Sequence, residues 1–116
     1  MEKIRVMVLR NCADPEVTEI GADLASMQEL VGGPIQALMI FSDMPEIMLV
    51  CNEEGKLWRL KQNRYLRGRD GEIVDMLVGD CFLCSTDEED FASLTDEQIE
   101  KIKADHKVTI TSVWMS

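Results

Sequence analysis

Short apolar runs, each ended by turn-forming residues, are the feature of this sequence that most constrains its fold. Residues 3–9 and 73–78 are typical, because apolar residues dominate each run and Asn, Asp, Pro or Gly follows within a few positions. Runs of this length match β-strands, whereas a helix that crosses a membrane needs about 20 apolar residues. The 116 residues fit one domain. We therefore expect a single α+β domain over residues 1–116, with a mostly antiparallel sheet.

The remaining strands are placed by the same pattern of apolar residues and breakers. We predict strands at residues 16–20, 35–41, 47–51 and 81–84, and a further strand at 56–60. Residues 62–72 are predicted as a loop, because Gly68, Asp70 and Gly71 interrupt regular structure. Residues 107–116 are predicted as a tail or a final strand.

Two segments have helical spacing and helix-ending residues, about 24–31 and 96–105. Asp23 is suited to cap the first helix, and Gly32 is suited to the left-handed position that ends it. Thr95 and Gln98 have the spacing of a capping box at the start of the second helix.

The cysteines predict reduced thiols in a core. Cys81 and Cys84 lie three residues apart on a predicted strand, so their side chains point to opposite faces of the sheet. Zinc would need a second cysteine or histidine pair, which the sequence lacks. We expect no cofactor and no metal, and the absence of an export signal predicts a cytoplasmic protein without a membrane segment.

No catalytic motif is recognised. His106 is the only histidine, and it lies near the predicted end of the second helix, where a positive charge is favourable. No nucleophile motif accompanies it. We therefore expect a protein without enzymatic activity, although the 22 acidic residues leave an enzyme or small-ligand domain with a carboxylate site as an alternative.

The charge distribution provides the functional candidates. The formal net charge is −10, yet six cations and no acid lie between Lys56 and Arg69, with Trp58 and Tyr65 among them. Cations with aromatic residues can hold phosphates and stack bases, but the overall charge argues against direct binding of nucleic acid. We expect these cations to pair with acids of the same domain, of a protein partner or of a second copy in a homodimer. Four consecutive acids lie at residues 87–90 and lack the spacing of a calcium-binding loop.

Several short motifs resemble a known family. They include Leu30-Val31-Gly32-Gly33, Asn52-Glu53-Glu54-Gly55-Lys56, Asn63-Arg64, Asp70-Gly71-Glu72-Ile73 and Asp90-Phe91, and together they cover most of residues 4–105. In these the chain resembles an uncharacterised family of small domains of unknown function from Firmicutes, their conjugative elements and phages. The resemblance implies no enzymatic activity, and it implies an accessory gene of a mobile element. Small acidic proteins from that setting often block host defence nucleases, which is an analogy.

The resulting hypothesis is an acidic binding protein that modulates or inhibits a basic, nucleic-acid-handling host protein. Its acidic surface would attract the partner, and the basic segment would set register or self-association. Direct binding of nucleic acid through residues 56–69 remains an alternative. The residues predicted to bind a partner are Trp58, Arg59, Arg64, Tyr65, Arg67, Asp87, Glu88, Glu89 and Asp90.

Overall fold

A computed structural model describes residues 2–10, 13–41, 43–67, 72–88 and 90–104. Eight strands and two helices lie in these residues, so the predicted α+β class is confirmed. In chain order they are β1 (Lys3–Leu9), β2 (Glu16–Gly21), α1 (Leu24–Val31), β3 (Ile35–Leu38), β4 (Met48–Asn52), β5 (Gln62–Arg67), β6 (Ile73–Val78), β7 (Cys81–Asp87), β8 (Asp90–Ala92) and α2 (Asp96–Ala104).

The main sheet is antiparallel and has the strand order β2-β1-β7-β4-β3. β7 is its centre, because Leu83 pairs with Met7 of β1 on one side and with Leu49 of β4 on the other. Strand β8 continues the sheet along the end of β7, from Ser85 to Asp87. β5 and β6 form a separate two-stranded antiparallel sheet.

The central strands of the main sheet are apolar at successive positions, so both of its faces need to be covered. Each face is covered by a cluster of buried side chains. On one face α1 packs Met27 and Val31 into a cluster with Val6, Val8 and Phe82. On the other face the residues of α2, the β5–β6 hairpin and the β3–β4 connection form a second cluster. Its buried members include Met7, Leu9, Phe41, Ile47, Leu66, Leu77, Leu83, Leu94, Ile99 and Ile102.

The helix boundaries follow the predicted caps. The Asp23 carboxylate accepts a hydrogen bond from the Ser26 amide at 3.0 Å, and Gly32 ends α1 in the left-handed conformation with φ 83°. The Thr95 hydroxyl accepts from the Gln98 amide at 3.1 Å, and the Gln98 side chain accepts from the Thr95 amide at 2.9 Å. Both capping predictions are therefore confirmed.

The middle of the chain differs from the prediction. Residues 56–60 are not a strand but part of a compact turn, in which the Trp58 amide donates to Glu54 O and the Leu60 amide to Gly55 O. Residues 62–67, predicted as loop, form β5. The run of acids at residues 87–90 begins at the last residue of β7 and ends at the first residue of β8. The predicted tail or strand at 107–116 and His106 lie outside the described residues.

One buried asparagine ties the β5–β6 hairpin to the main sheet. The pairing register shifts between Gln62 and Arg64, which leaves Asn63 as the extra residue of a β-bulge. Its Nδ2 donates to Leu9 O and to Gly79 O, both at 2.8 Å. These bonds join β5 to the end of β1 and to the turn before β7.

Candidate functional site

Three of the predicted acidic residues, Asp87, Glu88 and Asp90, lie where β7 ends and β8 begins. Asp87 ends β7, Asp90 begins β8 and pairs with it, and Glu88 has a positive φ of 57°. Glu89, also predicted to bind, lies outside the described residues. The side chains of Asp87, Glu88 and Asp90 are exposed, and no ion pair involves them within the described residues. We call residues 87–90 the acidic turn.

Acids on the nearby helix are partly neutralised, in contrast to the acidic turn. Arg5 pairs with Asp96 at 2.9 Å, and its guanidinium also donates to Leu94 O at 2.8 and 3.0 Å. Lys101 pairs with Glu97 one helical turn earlier, at 3.3 Å. Asp96 and Glu97 therefore differ from Asp87, Glu88 and Asp90, which form no ion pair within the described residues.

Trp58 and Arg59, from the predicted basic segment, lie in the compact turn after β4. We call residues 56–61 the basic turn. Leu57 and Trp58 are 73% and 66% exposed, and the Trp58 indole donates to the Glu54 carboxylate at 3.1 Å. Arg59 is exposed with φ 54°, a conformation that costs energy for a residue other than glycine. Within the described residues neither Arg59 nor Lys61 forms an ion pair.

The other predicted binding residues lie on β5. Tyr65 pairs with Met76 of β6 and is half-buried, so its ring is a less accessible stacking surface than Trp58. The backbone of Arg64 pairs with Leu77 of β6, and the backbone of Arg67 pairs with Ile73.

The structure places the acidic and basic turns at opposite ends of the main sheet. Met48 at the start of β4 pairs with Cys84, so the chain continues from Cys84 to the acidic turn at that end. Asn52 at the other end of β4 leads into the basic turn. β7 spans seven residues, so its length alone separates the ends by about 20 Å. The predicted residues therefore form two surfaces and not one site.

A cleft of about 160 Å³ lies beside the basic turn, between β3, β4 and β6. Lys56 and Asp75 form an ion pair in its lining, and this hydrogen bond is the main reason that the pKa of Asp75 is lowered. Cys51 also lines the cleft, and burial, followed by the Asp75 charge, raises the pKa of its thiol. A nucleophilic thiol needs a lowered pKa, so the raised pKa of Cys51 argues against that role. A carboxyl that acts as a general acid needs a raised pKa, so the lowered pKa of Asp75 argues against that role.

The predicted opposite orientation of Cys81 and Cys84 is confirmed, because they belong to clusters on the two faces of the sheet. Burial raises the pKa of the Cys84 thiol to about 12. Among the described residues no group of three His, Cys, Asp or Glu side chains is arranged to hold a metal ion. Neither described helix is long and apolar enough to cross a membrane.

The comparison with protein families matches residues 4–107 to the model described as Domain of unknown function (DUF3846). The chain belongs to the DUF3846 family. No curated protein and no solved structure shows a significant match to it.

Several residues that suggested the DUF3846 resemblance have structural functions. Asn52 is buried, donates to Val31 O at 3.2 Å and accepts from the Glu54 amide at 2.7 Å, so it joins the end of α1 to the turn after β4. A Cβ atom on Gly33 would lie 2.8 Å from Asn52 Nδ2, which explains the need for glycine there. These motif residues therefore stabilise the fold. They do not explain the two charged surfaces.

The sequence reasoning missed the cleft and the free edge of β3. The cleft depends on how β6 lies against β3 and β4, three segments that are distant in the chain.

Proposed function

We propose that this domain acts by binding a basic protein partner through the acidic turn, and that the partner is a protein that handles nucleic acid. The observation that carries the proposal is the exposure of Asp87, Glu88 and Asp90 without ion pairs in the described part of the chain. Three carboxylates therefore lie within four positions of the chain at one end of the main sheet.

Long-range electrostatics supports this kind of partner. A formal net charge of −10 repels phosphate backbones and attracts basic surfaces, which raises the rate of encounter. A groove that holds nucleic acid has the opposite charge to the acidic turn. A domain bound over such a groove would compete with nucleic acid, so the proposed consequence of binding is inhibition or modulation of the partner.

The exposed geometry of the turn also fits a contact. The turn follows the end of β7, and Ser85, two residues before it, is buried in the sheet. Rigid attachment limits the entropy lost when the side chains are fixed by a partner. The Thr86 hydroxyl anchors this end of β7 by donating to Glu46 O at 2.9 Å.

The proposal is tested by affinity capture from the host with the wild-type domain and with the triple variant Asp87→Lys, Glu88→Lys, Asp90→Lys. A matched triple variant, Asp14→Lys, Glu19→Lys, Glu29→Lys, changes the net charge equally at exposed positions elsewhere. We expect the first triple to lose the partner and the second to retain it with slower association. The association rate with the purified partner should also fall steeply with salt. Equal loss in both triples, or association that does not depend on salt, would contradict the acidic turn as the contact.

Direct binding of nucleic acid is a second candidate, favoured by the exposed Trp58 next to Arg59, which forms no ion pair with the residues that the structure describes. An exposed indole beside a guanidinium can stack on a base and contact its phosphate. A gel shift at about 50 mM salt, where phosphate contacts are strong, tests it. Binding by the isolated domain that is abolished by Trp58→Ala and Arg59→Ala, and that survives the acidic-turn triple, would establish this candidate in place of the first.

A further inference from the structure

Cys51 and Cys81 lie at facing positions of two adjacent strands, β4 and β7. These strands pair antiparallel, and the last pair at this end of their ladder is Val50 with Phe82. One step further in the same register Cys51 faces Cys81, and both residues belong to their strands. Facing residues of an antiparallel pair have Cα atoms about 4.5–5.5 Å apart, within the range of about 4.4–6.8 Å that disulfides span.

The two cysteine side chains also lie on the same face of the main sheet. Cys81 belongs to the buried cluster beneath the β5–β6 hairpin, and Cys51 packs against that cluster. The Asn63 amide of β5 lies 3.8 Å from the Cys81 sulfur, and Cys51 lines the cleft against β6. Neither cysteine forms a disulfide with another described residue. Cys84 belongs to the cluster on the other face, so it cannot replace either of them.

We propose that Cys51 and Cys81 are a redox-active dithiol, which a low-molecular-weight disulfide oxidises to a cross-strand disulfide. The Cys51 thiolate attacks one sulfur of the small disulfide, so that one small thiolate leaves and a mixed disulfide forms on Cys51. The Cys81 thiolate then attacks the Cys51 sulfur, and the second small thiolate leaves. The two cysteines give up two electrons and two protons, and the small disulfide is reduced to two thiols.

Accessibility sets the order of the two steps. Cys51 is half-buried and lines the cleft of about 160 Å³, whereas Cys81 is 1% exposed. A small disulfide therefore meets Cys51 first. Burial raises the pKa of the Cys51 thiol, so its thiolate is scarce at neutral pH and this first step is slow. The second step is intramolecular, because the neighbouring strand holds Cys81 opposite the mixed disulfide.

The cross-link would change the cleft and the sheet together. It would hold the start of β7 against β4 and remove the Cys51 thiol from the cleft lining. The Cys51 sulfur stays within reach of small thiols from the cleft, so an excess of small thiol would reverse the reaction. The pair would thus exist as a dithiol under reducing conditions and as a cross-link under oxidising conditions.

The test treats the folded full chain with an excess of 2-hydroxyethyl disulfide, which is small and uncharged, at about pH 8.5, near the ordinary pKa of cysteine. The reaction is stopped with acid, remaining thiols are alkylated, and the chain is digested without reduction and mapped by mass spectrometry. We expect a linkage between Cys51 and Cys81 and the loss of two hydrogen atoms from the chain. Treatment with an excess of small thiol should remove the linkage.

Two variants separate the two steps. Cys81→Ala should stop at the mixed disulfide on Cys51, because no second thiol faces it. Cys51→Ala should leave Cys81 as a thiol, because small disulfides do not reach its buried sulfur. The matched control is Cys84→Ala, which removes a buried thiol from the opposite face and should form the Cys51–Cys81 linkage in about the wild-type yield.

Three results with the wild-type chain would overturn the proposal. The first is a mixed disulfide on Cys51 that persists while Cys81 stays a thiol, which would place the two sulfurs out of reach of each other. The second is a linkage of Cys51 or Cys81 to a different cysteine. The third is a folded chain in which both stay thiols, although the chain unfolded in urea is oxidised under the same conditions.

Discussion

Replacing Asn63 by alanine should destabilise the fold far more than replacing the partly exposed Gln28. Asn63 is 1% exposed, and its Nδ2 donates to two backbone oxygens, of Leu9 and Gly79, at 2.8 Å each. Alanine cannot donate these bonds, and each buried carbonyl left without a donor costs about 1–3 kcal/mol. The expected loss is about 2–5 kcal/mol, a large part of the total stability of about 5–15 kcal/mol that small domains have.

Equilibrium unfolding in urea measures this loss. With a slope of about 2 kcal/mol per molar urea, the midpoint should fall by roughly 1–2.5 M. Gln28→Ala, which removes a partly exposed amide from α1, is the control and should change stability by less than about 0.5 kcal/mol. Asn63→Asp keeps the size of the side chain but replaces the donor with a second oxygen, so it should be at least as damaging as alanine. The reasoning is refuted if Asn63→Ala matches the Gln28 control, or if Asn63→Asp is as stable as the wild type.

Three further predictions concern the helix cap and the buried thiol. Thr95→Ala should lower the free energy of unfolding, measured in urea, by about 1 kcal/mol, because the Gln98 amide loses its acceptor. Thr95→Ser keeps a hydroxyl and should retain most of this stability. An equal loss in both variants would refute the cap. In the folded protein the Cys84 thiol should resist a thiol-specific reagent at pH 8 and react after unfolding, since burial raises its pKa to about 12. Stability should also fall above pH 9, by roughly 1.4 kcal/mol per pH unit, because the unfolded chain releases this proton near pH 9 and the folded chain retains it until about pH 12. Cys84→Ala should flatten that slope, and an unchanged slope would assign it to other groups.

The ends of the helices were predictable because their signals are local. Asp23, Gly32, Thr95 and Gln98 act on backbone groups within four residues of themselves, so their spacing alone specifies the geometry. The apolar runs likewise located β1, β6 and the start of β7, and in β1 and the start of β7 most of these side chains are buried.

β5 was missed because its buried residues do not alternate. Asn63 and Leu66 are buried three positions apart, and the bulge at Asn63 makes this spacing compatible with a strand. Neither the bulge nor the two carbonyl oxygens that the asparagine side chain reaches can be read from residues 62–67 alone. Residues 56–60 were wrongly predicted as a strand because of their apolar residues. In the structure they lie in a turn, and Leu57 and Trp58 are exposed to solvent.

The separation of the two charged surfaces also required the structure. The sequence located both charge clusters, but their distance depends on the register of β4 against β7, which is a long-range property. The same register identifies β3 as a free edge. The strand order is therefore needed to place the two charge clusters at opposite ends of the sheet.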